Sequence, residues 1–182
     1  MSKPPLNVDV SPIADRAALA TLEYDFETSR IYTVHKLGSA IFAIELIERK
    51  VDPPLYKNYS PSRMSTELES SGGGFKVSVD GELAAAVVLS FEEWRSVAHI
   101  DDLLVGRKFR RHGLGTLLLD KAKEWALGRG CWALSAETQN VNYPAVQFYR
   151  RNGFEIWSVN EHFYPPGEYG KEIAVVLGKI IA

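Results

Sequence analysis

Hydrophobic positions in this chain fall into short runs cut apart by Gly, Pro and Asn, and the period inside each run predicts its element. The signals are sharpest in the second half. Residues 75–79 and 83–89 flank Asp80-Gly81, a dipeptide suited to a two-residue hairpin turn, and 97–105 follow as a third strand. Leu114, Leu117, Leu118, Ala122, Trp125 and Ala126 then recur at helical spacing up to Gly128 and Gly130. Residues 131–136 read as a strand, 145–151 as a short helix stopped at Asn152-Gly153, and 154–159 and 173–181 as closing strands. Earlier in the chain, Ser11-Pro12 is a helix start, so residues 13–22 are expected to carry a first helix. Residues 31–36 and 40–47 read as strands around a Leu37-Gly38-Ser39 turn, the second also compatible with helix by composition. Residues 52–61, with three prolines, are expected to be irregular, because each proline removes a backbone donor and fixes φ.

The order β, α, β, α, β, β after a mixed N-terminal region predicts an α/β or α+β fold on a mixed sheet. With 182 residues, no repeat and no long linker, one domain is the simplest organisation. Composition then removes classes of function. No apolar stretch approaches the length of a membrane span, and Met1-Ser2-Lys3-Pro4-Pro5 lacks the apolar core of a signal peptide, so a cytoplasmic protein without a membrane partner is expected. The lone Cys131 supports neither an internal disulfide nor a multi-cysteine metal site; it reads as a small buried hydrophobe, and no metal is expected. A net charge of −2 offers no general basic face for nucleic acid, so any anion site must be local.

One local site stands out. Between the strand at 97–105 and the following helix lies Gly106-Arg107-Lys108-Phe109-Arg110-Arg111-His112-Gly113-Leu114-Gly115-Thr116. The first turn of a helix carries unpaired N–H groups and the positive end of the macrodipole, and glycines let a phosphate come close to that backbone. Two familiar nucleotide loops do not fit: no lysine follows Gly113 or Gly115 as a Walker loop requires, and the third glycine of a dinucleotide fingerprint is missing. The bland alternative is an ordinary turn with solvated arginines.

Arg110-x-x-Gly113-x-Gly115 after a strand resembles the acyl-CoA pyrophosphate motif of the GNAT N-acetyltransferase superfamily. A second block, Glu137-Thr138-Gln139-Asn140-Val141-Asn142-Tyr143-Pro144-Ala145-Val146-Gln147-Phe148-Tyr149 and then Asn152-Gly153-Phe154, resembles the family's downstream pattern at the expected distance. Within the superfamily, the ETQ-x-x-N stretch, Ile100-Asp101-Asp102 and Lys123-Glu124-Trp125-Ala126 look most like streptothricin acetyltransferases and close relatives. The resemblance implies a mostly antiparallel central sheet flanked by helices and splayed between the strands at 97–105 and 131–137. It implies one domain over 1–182, with residues 1–90 on the acceptor side and 91–182 binding acetyl-CoA. The implied activity is transfer of acetyl from acetyl-CoA to a primary amine of a cationic small molecule. Protein or peptide amines, polyamines and a non-catalytic acyl-CoA-binding module are the alternatives. The oligomeric state stays open, a homodimer being one option.

The resemblance also implies roles for particular residues. The backbone at Leu103, Leu104 and Val105 is expected to line the amide-bearing arm of CoA, as a sheet edge accepts a false strand. The amides of His112, Gly113, Leu114, Gly115 and Thr116 are expected to take the pyrophosphate, with Arg110 and Arg111 adding charge. Transfer to an amine needs a neutral nucleophile, a stabilised oxyanion and a protonated leaving thiol. An alkylammonium of pKa about 10.4 needs a base or a desolvating pocket at neutral pH. Strand alternation places His99, Asp101, Leu103 and Val105 on one face, and the resemblance places a base or proton wire at His99 and Asp101. With ordinary pKa values of about 6.5 and about 3.9, Asp101 is expected to bind the cation and His99, directly or through water, to take its proton. The alternative is a satisfied sheet histidine beside a turn or bulge aspartate. Tyr149 is expected to be the general acid and to touch the cofactor, its alternative being packing beside Phe148; Asn142 is expected to contact CoA, to cap the helix, or both. Glu23, Asp25, Glu27, Glu92, Glu93, Asp101 and Asp102 are acidic residues able to attract a polycation.

Overall fold

The structure is a computed structural model that describes residues 7–13, 16–38, 43–59, 72–167 and 171–182. Two compact units are built from alternating segments of the chain. The first takes Met1–Tyr24, Tyr59–Ser135 and Ile180–Ala182, the second Asp25–Asn58 and Ala136–Lys179.

In the first unit β1 (Val8–Pro12), β4 (Gly73–Val79), β5 (Glu82–Glu92) and β6 (Val97–Val105) lie side by side in that order, antiparallel throughout, and β7 (Ala133–Gln139) adds its first residues next to β6. The hairpin between β4 and β5 turns on Asp80 and Gly81, both at positive φ (51° and 83°), as the dipeptide predicts. Each face of this sheet has its own cover. Helix α1 (Leu114–Leu127) stands over the face of Gly73, where an added Cβ would lie 2.3 Å from Trp125 Nε1. On the other face, Ile13, Leu19 and Leu22 pack with Ala86 and Val88, joined by Leu83 and Leu104. Those N-terminal residues enter by way of a 3-10 helix over Arg16–Thr21, shorter and tighter than the helix expected for 13–22; residues 14–15 lie outside the described residues.

In the second unit the strand order is β7, β9 (Ala174–Ile180), β8 (Glu155–Asn160), with α2 (Tyr143–Arg151) between β7 and β8 in sequence. A two-stranded ribbon, β2 (Asp25–Leu37) with β3 (Ala43–Asn58), completes it. Both expected strands are there but far longer; residues 39–42, which include the expected turn residue Ser39, lie outside the described residues. The expectation of an irregular 52–61 is overturned as far as Asn58, and 60–61 lie outside the described residues. The ribbon tolerates its prolines because pairing jumps from Arg30↔Lys50 to Thr28↔Leu55, so Pro53 and Pro54 fall in the interruption, where no ladder donor is required. Asn140 fixes this ribbon to the start of β9. Its amide nitrogen donates to Tyr32 O (2.6 Å), its Oδ1 accepts from Ile173 N (2.9 Å), and its backbone bonds both residues again. Among the described residues no helix is long and apolar enough to cross a membrane.

Candidate functional site

The phosphate-loop candidate is built in the first unit. Where β6 ends, Gly106 N–H donates to Ala84 O (2.8 Å) and Arg107 N–H to the Glu23 carboxylate (3.0 Å). A 3-10 turn over Arg107–Phe109 follows, and Arg110 Nε folds back to donate to Val105 O at 3.0 Å. His112 Nδ1 donates to Arg110 O (2.9 Å), Arg111 and Gly113 adopt positive φ (69° and 82°), and α1 begins at Leu114. No side chain caps that helix, and its backbone ladder begins with Leu117 N–H donating to Gly113 O at 3.0 Å. The loop therefore leads into a helix N-terminus without a side-chain cap, with Gly113 leaving open space where a Cβ would stand. This arrangement can hold a diphosphate. Leu103, Leu104 and Val105 pair with Val87, Ala86 and Ala85, and the Leu104 side chain belongs to the apolar cluster beneath, so what they offer a ligand is backbone.

The register of β6 corrects the expected grouping on its surface. Asp102 pairs with Val88 and Ile100 with the adjacent Leu89, which leaves Asp101 as the extra residue of a bulge. Alternation reverses there. His99 shares its face with Asp102 and Leu104 rather than with Leu103 and Val105. Asp101, exposed, still turns toward the histidine side, since its Oδ1 accepts from Ser90 Oγ (2.8 Å) and Ser90 pairs with His99. His99 Nδ1 lies 2.9 Å from the hydroxyl of fully buried Ser135 on β7. Burial holds the imidazole below its usual pKa, against the opposing charges of Asp101 and Glu92, so His99 is neutral at pH 7 and able to accept a proton. Glu92 is held by both Nε and Nη2 of Arg95 (2.6 and 2.5 Å). Glu23, Asp25 and Asp101 accept instead from neutral donors, the N–H of Arg107, Tyr56 OH and Ser90 Oγ, bonds that do not cancel a carboxylate's charge.

The remaining candidates stand in the second unit. Asn142 caps α2, its Oδ1 accepting from Ala145 N at 3.2 Å, with Pro144 in the first turn, so the capping role is real whatever else it does. One face of α2 buries Val146 and Tyr149, and the Tyr149 ring packs edgewise on Phe148 and tilted on Phe154, with centroids 5.4 and 5.2 Å away. Glu137, named above only within a motif, is a partly buried carboxyl in this unit. It accepts from Tyr164 OH, and burial raises its pKa, Tyr164 opposing and the buried Glu172 reinforcing. Glu172 is in turn bound by Lys57 at 2.6 Å. A carboxyl so raised accepts a proton more readily at neutral pH than an exposed one. The bonds of Ser135 with His99 and of Glu23 with Arg107 have no signal in the sequence, since the partners are 36 and 84 residues apart and no local spacing records that. Cys131 is buried, and desolvation raises its pKa, which keeps it an unreactive thiol.

Known proteins resemble this arrangement over most of its length. The acetyltransferase (GNAT) family matches residues 41–154. The streptothricin acetyltransferase of Streptomyces lavendulae is 32% identical over 158 residues, covering 82% of each chain. Streptothricin acetyltransferase A of Bacillus subtilis (strain 168) is 29% identical over 130 residues, 70% of this chain and 75% of that one. Among solved structures, a nourseothricin acetyltransferase superposes with a TM-score of 0.85 at 29% identity, covering 97% of this chain and 99% of that one.

Proposed function

Since the chain belongs to the acetyltransferase (GNAT) family and is an acetyl-CoA-dependent N-acetyltransferase, we propose that it acetylates a primary amine of a cationic, streptothricin-like small molecule. The observation that carries this reading is how far the likeness extends. The family match covers residues 41–154, yet 97% of the chain follows the fold of a nourseothricin acetyltransferase, so the likeness extends well beyond the family match.

Acetyl-CoA supplies the thioester-activated acetyl group. The residues present fit such a cosubstrate, for α1 begins uncapped beside the open space at Gly113. In this reading the amides of His112 to Thr116 bind the diphosphate, Arg110 and Arg111 add charge-assisted contacts, and the backbone of Leu103 to Val105 aligns the amide-bearing arm. Asn142 adds a contact from the α2 cap. Asp101 binds the ammonium of the acceptor, and His99, kept neutral by burial, takes its proton directly or through water. Tyr149 is the general acid, because a phenol of pKa about 10 keeps its proton at pH 7 and passes it to a thiolate of pKa about 8.5.

Thiol release from acetyl-CoA, measured over a panel of streptothricin, polyamines and peptides, tests the acceptor. The highest kcat/KM is expected with streptothricin. A polyamine or peptide acetylated faster would move the assignment to that class.

A further inference from the structure

Four basic residues precede α1, two on the 3-10 turn and two after it. Arg107 and Lys108 sit on the 3-10 turn, and each is tied to a carboxylate from a distant segment: Arg107 through its backbone N–H to Glu23 (3.0 Å), Lys108 through its ammonium to Glu82 (2.5 Å). Arg110 and Arg111 follow the turn and lead into the helix N-terminus. Glu23 and Glu82 stand on the walls of one cavity of about 310 Å³, with the turn between them.

The turn itself is packed from several sides. A Cβ at Gly106 would lie 3.3 Å from Ala84 O, 3.4 Å from Phe109 Cδ2 and 3.5 Å from Leu22 Cδ2. Leu22 and Glu23 are consecutive, so one short segment brings an apolar contact to Gly106 and a carboxylate to the N–H of Arg107. Leu22 is in turn anchored in the apolar cluster under β5. The point where the chain leaves β6 for the phosphate loop is therefore gripped by a residue pair from the N-terminal segment.

We infer that Glu23 is a positioning residue for cofactor binding: its carboxylate holds the backbone of Arg107 so that the loop through Gly113 is set before the diphosphate arrives. This rests on the reading of that loop as the diphosphate site. Setting the loop in advance spares the ligand the ordering cost that a mobile loop would charge against binding. On charge alone Glu23 should oppose an anion, since it also lies near the guanidinium groups of Arg107 and Arg110. The two effects have opposite signs, which makes the inference decidable. The carboxylate stays ionised at neutral pH, the Arg107 N–H holding its pKa below the ordinary value ahead of the lesser pull of the two arginines.

Calorimetric binding of CoA to the full chain separates the possibilities. Glu23→Ala removes both the acceptor oxygen and the charge, and is expected to raise Kd by about three- to tenfold, the scale of one modest hydrogen bond. Glu23→Gln keeps an acceptor oxygen and loses only the charge, and is expected to restore Kd to the wild-type value or below. In turnover, Glu23→Ala should raise KM for acetyl-CoA while kcat and the acceptor KM hold, a split that a general loss of fold would not give. Glu82→Gln, which breaks only the exposed ion pair with Lys108, is expected to leave Kd unchanged. Should Glu23→Ala fail to fold, Glu23→Asp, which keeps the charge but shortens the reach, is expected to show the same weakening. Unchanged or tighter binding in Glu23→Ala overturns the positioning role. Equal weakening by Glu82→Gln also overturns it, because the loop would then respond to any lost carboxylate. If the wild-type chain itself binds no CoA, the diphosphate reading of the loop fails first, and this inference with it.

Discussion

The proposed chemistry would use a neutral imidazole at His99 and a protonated phenol at Tyr149, and burial favours the first of these states further than an ordinary histidine pKa already does at pH 7. His99 has its folded pKa below the ordinary value of 6.5, chiefly through desolvation. The unfolded chain therefore takes up this proton first as pH falls through about 6.5, so the stability His99 supports is complete above that pH and declines below it. His99→Gln, still able to bond Ser135, should flatten the acid-side fall of Tm. If the imidazole is the base, the acid limb of kcat/KM should lie below pH 6.5, and His99→Gln should lower the plateau; a limb above that value, or an undiminished plateau, removes His99 from the chemistry. Tyr149→Phe is expected to cut kcat by about a hundredfold or more with little change in acetyl-CoA affinity. Single-turnover rates beside CoA binding decide it, an unchanged kcat being fatal to the general acid. Strand pattern and motif pointed to His99 and Tyr149 as candidates, whereas the Ser135 that bonds His99 and the Tyr164 that bonds Glu137 carry no local signal, because each meets its partner across tens of residues of chain.

Elements followed their local patterns wherever one face is dry and one turn residue is decisive. The β4–β5 hairpin, β6, α1 and the closing strands all fall within a few residues of their expected ends. Two departures share a cause. The bulge at Asp101 and the interruption that houses Pro53 and Pro54 are both slips between paired strands, and a slip depends on the partner's register rather than on the strand's own sequence. Close approach between elements is equally invisible in local pattern. A Cβ at Gly74 would stand 2.7 Å from the backbone oxygen of Val87 and 3.1 Å from Ile13 Cδ1. Gly74→Ala should therefore cost about 1–3 kcal/mol, as overpacking does, because a paired strand backbone cannot step aside. Denaturant midpoints measure it, and a loss within a few tenths of a kcal/mol would mean that β4 shifts freely.

At the level of the whole molecule, a net charge of −2 conceals a basic segment at 107–111 and scattered carboxylates, some held in ion pairs such as Glu82 with Lys108 and Glu172 with Lys57. If the proposed loop holds the diphosphate, affinity for the cosubstrate should rest on Arg110, Arg111 and backbone amides rather than on a general basic field. Binding of CoA to the native state alone should add about 2.7 kcal/mol of stability at a hundred times its Kd. A thermal shift that grows with CoA concentration, and a smaller one with adenosine that lacks the diphosphate, is the expected result. Equal shifts with both ligands would place the affinity elsewhere.

Local periodicity, turn chemistry and the family resemblance of two ordered motifs were enough to determine the class of fold and the reaction, and to single out a candidate phosphate loop, since each is written in residues close together along the chain. Which side of β6 carries His99, what holds its ring, why 52–58 pairs as a strand and what grips Arg107 were decided by tertiary contacts. Register, desolvation and hydrogen bonds spanning tens of residues are properties of partners, and the partner's position is set only when the chain has folded.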